Sequence, residues 1–229
     1  MKIALICALL ISLSALSKSH FTARRLSQLS GEKNSVGYST KKAWDKAYSR
    51  PSYIFGKAPA KFLAENFDYL PANAKVLDIG MGEGRNAVFL ADKGHKVTGI
   101  DISSVAVKKS RLLAKEFGVK IKGIVASLDK YKFPKESFDA IICFYYVDKS
   151  LLSRMKKWLK PGGVLIYEAY TEKQKTVRNY PKYSDDQYLK SKELLGLFDG
   201  LSVLKYEEPL HEKIYRASII LKKPKEAAL

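Results

Sequence analysis

Apolar positions along this chain fall into short blocks separated by glycine, proline and polar residues. Lys75–Ile79 is an apolar run that ends at glycines, which predicts a buried strand. Residues 84–93 set Ala87, Val88, Leu90 and Ala91 at helical spacing, and Gly94 supplies the stop. Lys96–Asp101 reads as a second strand. Residues 104–117 form the next helical pattern, with Ser103 or Ser104 as its cap and Gly118 closing it. A strand over 121–125 follows, then Phe138–Phe144, whose unbroken apolar run fits a central strand. Residues 151–159 are helical, Pro161, Gly162 and Gly163 make a turn, and 164–170 is a strand. Residues 191–198 predict a helix, and 201–206 with 215–221 predict two closing strands. Upstream, Lys41–Tyr48 sets Trp44, Ala47 and Tyr48 on one helical face until Pro51 breaks it. Residues 58–67 form an amphipathic helix with Phe62, Leu63 and Phe67 on one side.

Strands that alternate with helices dictate a mostly parallel sheet covered by helices on both faces. Seven strands are predicted, the last two as an antiparallel closing pair. Ligands of such α/β sheets sit at the carboxyl ends of the strands, near the point where strand order reverses.

The first residues read differently. Residues 3–16 are apolar and uncharged after Lys2, the length of a signal-peptide core and short for a membrane span. Ala15 and Ser17 fit a cleavage site. Lys18, Arg24, Arg25 and Lys33 would instead hold the domain on the cytoplasmic side of an uncleaved anchor. Residues 17–31, with Ser and Arg but no acid, also have the composition of a transit peptide. The expected division is a signal-like or anchoring segment with linker over 1–35, a folded domain over 36–222 and a basic tail over 223–229. Localisation stands between export and membrane anchoring, with a domain otherwise suited to the cytoplasm.

Apolar residues make up 46% of 229, a globular composition sufficient for one well-cored domain. The formal net charge of +18 raises nucleic acid or an anionic surface as a partner. The lysines are scattered, with no Arg-rich tract interleaved with aromatics, so solubility accounts for them first. The two cysteines, Cys7 and Cys143, both lie in apolar runs and support no disulfide framework. His20, His95 and His211 lack ligand spacing, so no metal site is expected.

The chemistry concentrates at Asp78-Ile79-Gly80-Met81-Gly82-Glu83-Gly84, where the first strand meets the first helix of the alternation. Alternate glycines let the backbone turn sharply and let a ligand lie on the main chain. The spacing is not the Gly-x-Gly-x-x-Gly of dinucleotide enzymes. Asp78, two residues before the first glycine, would repel a pyrophosphate and suits a cationic ligand. Asp101 ends the next strand about 20 residues on, where a carboxylate accepts both hydroxyls of a ribose or caps the following helix.

The run from Val76 through Arg85-Asn86 resembles the first motif of class I S-adenosyl-L-methionine-dependent methyltransferases. Ser137-Phe138-Asp139-Ala140-Ile141-Ile142 resembles their fourth strand, and Leu159-Lys160-Pro161-Gly162-Gly163-Val164-Leu165 the turn into their fifth. Gly84-Arg85-Asn86, with Trp44-Asp45 and Tyr53-Ile54-Phe55-Gly56 upstream, is similar to the tellurite-resistance and thiol-methyltransferase branch. The resemblance spans residues 42–222. It implies a Rossmann-like α/β fold, methyltransferase activity and S-adenosyl-L-methionine as cofactor. It further implies that Gly80, Gly82 and Gly84 line the methionine part of the cofactor and Asp78 holds its amine. Asp101 would take the ribose hydroxyls, and Ile102 would pack on the adenine. Arg85 either pairs with the cofactor carboxylate or lies on the surface. Tyr53 and Phe55 either form part of a lid or pack the N-terminal helices. The family often has an acid for the adenine amino group after its third strand. Here Ala126-Ser127-Leu128-Asp129 stands there, so Ser127 or a displaced Asp129 takes that role beside Leu128.

On the acceptor side, Tyr145 either faces the reacting centre or is a rim aromatic. Methyl transfer is an in-line displacement at an activated carbon, so alignment and exclusion of water dominate. A base is needed only for a poor nucleophile. The resemblance implies a small-molecule acceptor such as a thiol or oxyanion. Cys143-Phe144-Tyr145-Tyr146 replaces the Asn/Asp-Pro-Pro-Tyr of nucleobase amino-methylating enzymes, which argues against that chemistry. The charge of +18 keeps an RNA or ribonucleoprotein acceptor as the alternative. Cys143, in a buried strand, is expected to be inert.

Overall fold

The computed structural model describes residues 40–177, 183–210 and 214–225. The apolar N-terminal run, with its signal and anchor readings, lies outside the described residues, as do Cys7, His20, His211 and residues 226–229. Among the described residues no helix is long and apolar enough to cross a membrane.

Two helices precede the sheet: α1 (Lys41–Tyr48), capped by the Thr40 hydroxyl, and α2 (Lys61–Asn66). Then β1 (Lys75–Ile79), α3 (Arg85–Asp92), β2 (Lys96–Asp101), α4 (Ser104–Glu116) and β3 (Lys122–Val125) alternate. They are followed by β4 (Phe138–Phe144), α5 (Leu152–Trp158), β5 (Leu159–Tyr170), α6 (Glu193–Leu197), β6 (Ser202–Glu207) and β7 (Arg216–Lys222). The seven strands form one sheet in the order β3-β2-β1-β4-β5-β7-β6. The first five are parallel, and β7 runs antiparallel to both β5 and β6. This is the expected Rossmann-like α/β sheet with its antiparallel closing pair.

The alternation of side chains along each strand divides the core into two layers. Leu77, Ile79, Ile141, Cys143, Leu165 and Tyr167 face one layer, filled by Met155 and Trp158 of α5 and Leu194 of α6. Val76, Ala140, Ile142, Val164 and Ile166 face the other, filled by Leu63 of α2 and Ala87 and Leu90 of α3. Strands buried on both faces explain the unbroken apolar runs. The order of strands turns back between β1 and β4, so the segments leaving these two strands meet at one switch point.

Three expectations need correction. The turn at Pro161-Gly162-Gly163 is part of β5, whose Gly162 N–H donates to Lys223 O at 2.8 Å while Lys223 N–H donates to Gly163 O at 2.9 Å. Gly162 has φ +76°, so the chain bulges there without losing its partner strand. The 58–67 helix starts later, at Lys61, and ends in a 3-10 turn over Phe67–Tyr69. The 191–198 helix shrinks to α6, behind Lys192 at φ +60°. Elsewhere the caps fall as the pattern indicates: the Ser103 hydroxyl accepts the Ala106 N–H at 3.1 Å, and Gly94 and Gly118 end their helices at positive φ.

Candidate active site

β1 delivers Asp78 and the glycine loop to the carboxyl edge of the sheet, beside the end of β4. Gly80, Gly82 and Gly84 all have positive φ, of 65°, 54° and 86°. A Cβ at Gly84 would stand 2.6 Å from Ser110 Cβ, so glycine there lets α4 close against the loop. A Cβ at Gly82 would stand 2.9 Å from the Tyr48 hydroxyl, which lies directly on the loop. Met81 N–H donates to Ile100 O at 3.1 Å and Gly84 N–H to Met81 O at 3.0 Å, which pins the turn to β2.

Asp78 is 1% exposed, and its Oδ2 has no hydrogen-bond partner. Burial, with Asp101 nearby, pushes its pKa up to about 8, against the opposing pull of Arg85 and the Ala87 N–H. Asp101 accepts the Gly82 N–H and the Ser103 N–H, both at 2.8 Å. Ser103, not Asp101, caps the following helix. Asp101 instead ties the glycine loop to the end of β2. Each of its oxygens retains a second lone pair for a further donor. Ile102 is half-buried beside it.

Beyond β3, the Ser127 hydroxyl bonds Asp129 and holds that exposed carboxylate below its ordinary range. The two candidates for one role therefore stand in contact. Leu128 turns inward and joins the core.

The polar residues of the loop reach backwards to the segment before α2. Ile54 N–H donates to Glu83 Oε2 at 2.7 Å, Arg85 Nη1 to Phe55 O at 3.3 Å, and Ala60 N–H to Asn86 Oδ1 at 2.9 Å. Glu83 is also paired with Lys109 of α4, whose ammonium donates to the carbonyls of Tyr48, Arg50 and Ser52. The glycine loop and the upstream segment are thus one unit, fastened by a buried ion pair. The Tyr53 hydroxyl donates to Lys109 O at 3.2 Å, and its ring packs against Val88 and Leu113. Tyr53 fastens this segment to α4, and Tyr48 is the tyrosine against Gly82.

Tyr145 follows β4 with φ +58°, a strained conformation for a non-glycine residue. Its hydroxyl donates to Glu168 of β5, and the Arg85 guanidinium lies 5.7 Å from its ring centroid. The next residue, Tyr146, packs against Gly80, where a Cβ would come within 3.2 Å of Tyr146 Cβ. Cys143 is fully buried, and burial pushes its thiol well above its ordinary range.

Of the residues singled out by sequence, Asp78, Gly80, Gly82, Gly84, Arg85 and Asp101 come together at the switch point, with Tyr145 at its β4 side. Ile102 and the Ser127-Asp129 pair follow at the ends of β2 and β3. The pattern gives no part in the site to Tyr48, Glu83, Lys109 or Glu168. Glu168 had a signal: an acid inside an apolar strand needs a buried partner.

Residues 76–163 match the model of a family described as a methyltransferase domain. Over 102 residues the chain is 35% identical to a ubiquinone biosynthesis O-methyltransferase of Xanthomonas axonopodis pv. citri, covering 42% of this chain and 43% of that protein. The chain spans about half the length of the curated relatives it matches. A SAM-dependent methyltransferase of Methanosarcina mazei superposes with a TM-score of 0.56 at 22% identity, over 74% of this chain and 100% of that one. TehB from Haemophilus influenzae gives a TM-score of 0.59 at 18% identity, over 80% and 66%. The structural likenesses establish the fold, and the curated relatives do not single out the tellurite-resistance or thiol branch.

Proposed function

We propose that this chain, which carries a Rossmann-like methyltransferase domain, is an S-adenosyl-L-methionine-dependent methyltransferase acting on a small-molecule acceptor. The observation that carries the reading is the buried, unpartnered oxygen of Asp78 beside a glycine cradle. A carboxyl group is held there with an unmade bond, next to a backbone too close for side chains. That combination suits a ligand with a cationic amine lying on the main chain.

When bound, S-adenosyl-L-methionine supplies a methyl group already activated by a sulfonium. Gly80, Gly82 and Gly84 hold its methionine part, Asp78 its amine and Arg85 its carboxylate. Asp101 takes the ribose hydroxyls, Ile102 the adenine face, and Ser127 or Asp129 the adenine amino group. The Glu83–Lys109 pair keeps the segment from Tyr48 to Phe55 closed over the loop and excludes water. Tyr145 lies on the acceptor side. The acceptor is a small molecule that presents a nucleophilic oxygen or sulfur.

The net charge supplies a weaker second reading, an RNA acceptor. Against it, the exposed lysines Lys75, Lys96, Lys122 and Lys222 lie at the sheet edge opposite the cradle. RNA affinity that falls steeply with salt would support that reading. The main test compares thermal shifts with S-adenosylhomocysteine and NAD, since a ligand stabilises the state that binds it. Stabilisation by S-adenosylhomocysteine alone, lost in Asp101→Ala, is expected. No response to it would overturn the proposal.

A further inference from the structure

The acceptor side contains a group that alignment alone does not require. Glu168 stands in an otherwise apolar stretch of β5 and is 1% exposed. One of its oxygens accepts the Tyr145 hydroxyl. The other accepts Ser218 Oγ at 2.7 Å and pairs with Arg216 Nε at 3.2 Å. A carboxylate buried so fully is retained only with partners of this kind. Tyr145 N–H also donates to Glu168 O at 2.7 Å, so backbone and side chain are both tied to the same residue. This double tie holds the strained Tyr145 conformation at the end of β4, one residue from the tyrosine that packs on Gly80.

The surroundings of Tyr145 are aromatic. Its ring lies 4.7 Å from that of Tyr170, which in turn stacks on Tyr183 at 6.1 Å and 15°. Arg85, the residue after the glycine cradle, joins this wall to the cofactor end through its contact with the Tyr145 ring.

We propose that the acceptor is a weakly acidic hydroxyl on an aromatic ring, and that Tyr145 takes its proton while passing its own to Glu168. The proposal rests on the methyltransferase reading above and adds a substrate class to it. A thiolate or oxyanion arrives ionised, so the Tyr145–Glu168 pair would have no proton to accept. An aromatic hydroxyl meets the site on both counts. Its ring stacks on the tyrosine wall. Its O–H donates to the Tyr145 oxygen, whose own O–H is engaged in a hydrogen bond to Glu168.

The acceptor oxygen forms its bond to the methyl carbon as the carbon–sulfur bond breaks, and that electron pair stays on sulfur. The acceptor proton moves to Tyr145 Oη, and the Tyr145 proton moves to Glu168 Oε1. One positive charge at sulfur and one negative charge at Glu168 disappear together. Burial raises the Glu168 carboxyl above its ordinary range, opposed by Tyr145, Ser218, Arg216 and Arg85. That direction makes it a stronger base for a phenol. Tyr145 is pushed well above the ordinary phenol range by burial and by Glu168, so it relays a proton and is not ionised beforehand. Tyr145 is the catalytic residue, and Glu168 is a positioning residue that acts through it.

The test uses the full chain with a panel of phenols, from unsubstituted phenol to acidic nitrophenols, and an alkyl thiol for comparison. Binding of phenol and thiol to the S-adenosylhomocysteine complex is measured by calorimetry, beside kcat and KM for wild type, Tyr145→Phe and Glu168→Gln. Phenol is expected to bind the complex, and the thiol not. Both variants should lower kcat on unsubstituted phenol by about 10²–10⁴ with little change in KM. The loss should shrink towards nitrophenols that arrive ionised. The acid limb of the wild-type pH profile should vanish in Glu168→Gln. Wild-type rates in both variants, an equal loss across the panel, or thiol binding without phenol binding would each overturn the proposal. Absence of S-adenosylhomocysteine binding by wild type would instead overturn the methyltransferase reading.

Discussion

Asp78 must change its charge when a cationic ligand enters the cradle, and that change can be counted. Its carboxyl is held at about 8, so at pH 7 about nine tenths of the empty protein keeps it protonated. The amine of S-adenosylhomocysteine is a cation and favours the ionised carboxylate. Binding at pH 7 is therefore expected to release about 0.9 proton. Ionising one unit below the pKa costs about 1.4 kcal/mol, and two units about 2.7 kcal/mol. Affinity should then rise about tenfold from pH 6 to pH 7. Calorimetry in two buffers of different ionisation heat counts the released protons directly. In Asp78→Asn the release and the pH slope should both vanish, and affinity should fall about 10–100-fold with the lost charged hydrogen bond. The fold should hardly notice at pH 7, because the side chain it replaces is already neutral. Binding without proton release, or wild-type affinity in Asp78→Asn, would refute the assignment.

The same carboxyl makes stability depend on pH. The folded chain keeps this proton up to about 8, whereas a free carboxyl loses it at 3.8. The folded state therefore binds more protons across that window, and stability falls as pH rises through it. Denaturant midpoints should show wild type losing ground to Asp78→Asn between pH 5 and pH 8, and parallel curves would exclude the effect. Gly84→Ala meets both a φ of +86° and Ser110 Cβ at 2.6 Å, so chemical denaturation should show a loss of about 1–3 kcal/mol. A wild-type midpoint would show that the loop tolerates a side chain. Lys109→Met leaves Glu83, whose side chain is 3% exposed, without its cation. Breaking such a pair costs about 3–5 kcal/mol. Limited proteolysis should then cut between residues 48 and 57, and an uncut segment would refute its role as a fastener.

Much of this molecule is legible in its sequence because local physics dictates it. Apolar runs that must be buried on both faces mark β1, β4 and β5, and Gly94 and Gly118 mark the ends of α3 and α4. The cradle is legible for a related reason. Only glycine accepts a loop that closes on Ser110 and Tyr48, so the glycines and the acid before them stand out. What the pattern misses is what depends on pairing across the sheet or across long stretches of chain. The Pro161-Gly162-Gly163 stretch reads as a turn, but its bond to Lys223 makes it strand. Tyr53 reads either as a lid or as a packing residue and proves to be bonded to α4, while the packing of α1 on α4 puts Tyr48 on the loop. Glu168 reads as one acid in an apolar strand. It meets Tyr145, Ser218 and Arg216 only because β5 lies between β4 and β7. The sequence alone therefore determined the sheet, the cradle and the two carboxylates beside it, since each is written in a short window. Tertiary structure decided the strap over the cradle and the Tyr145–Glu168 pair at the end of β4. Their partners lie 23 to 61 residues apart, and only folding brings them together.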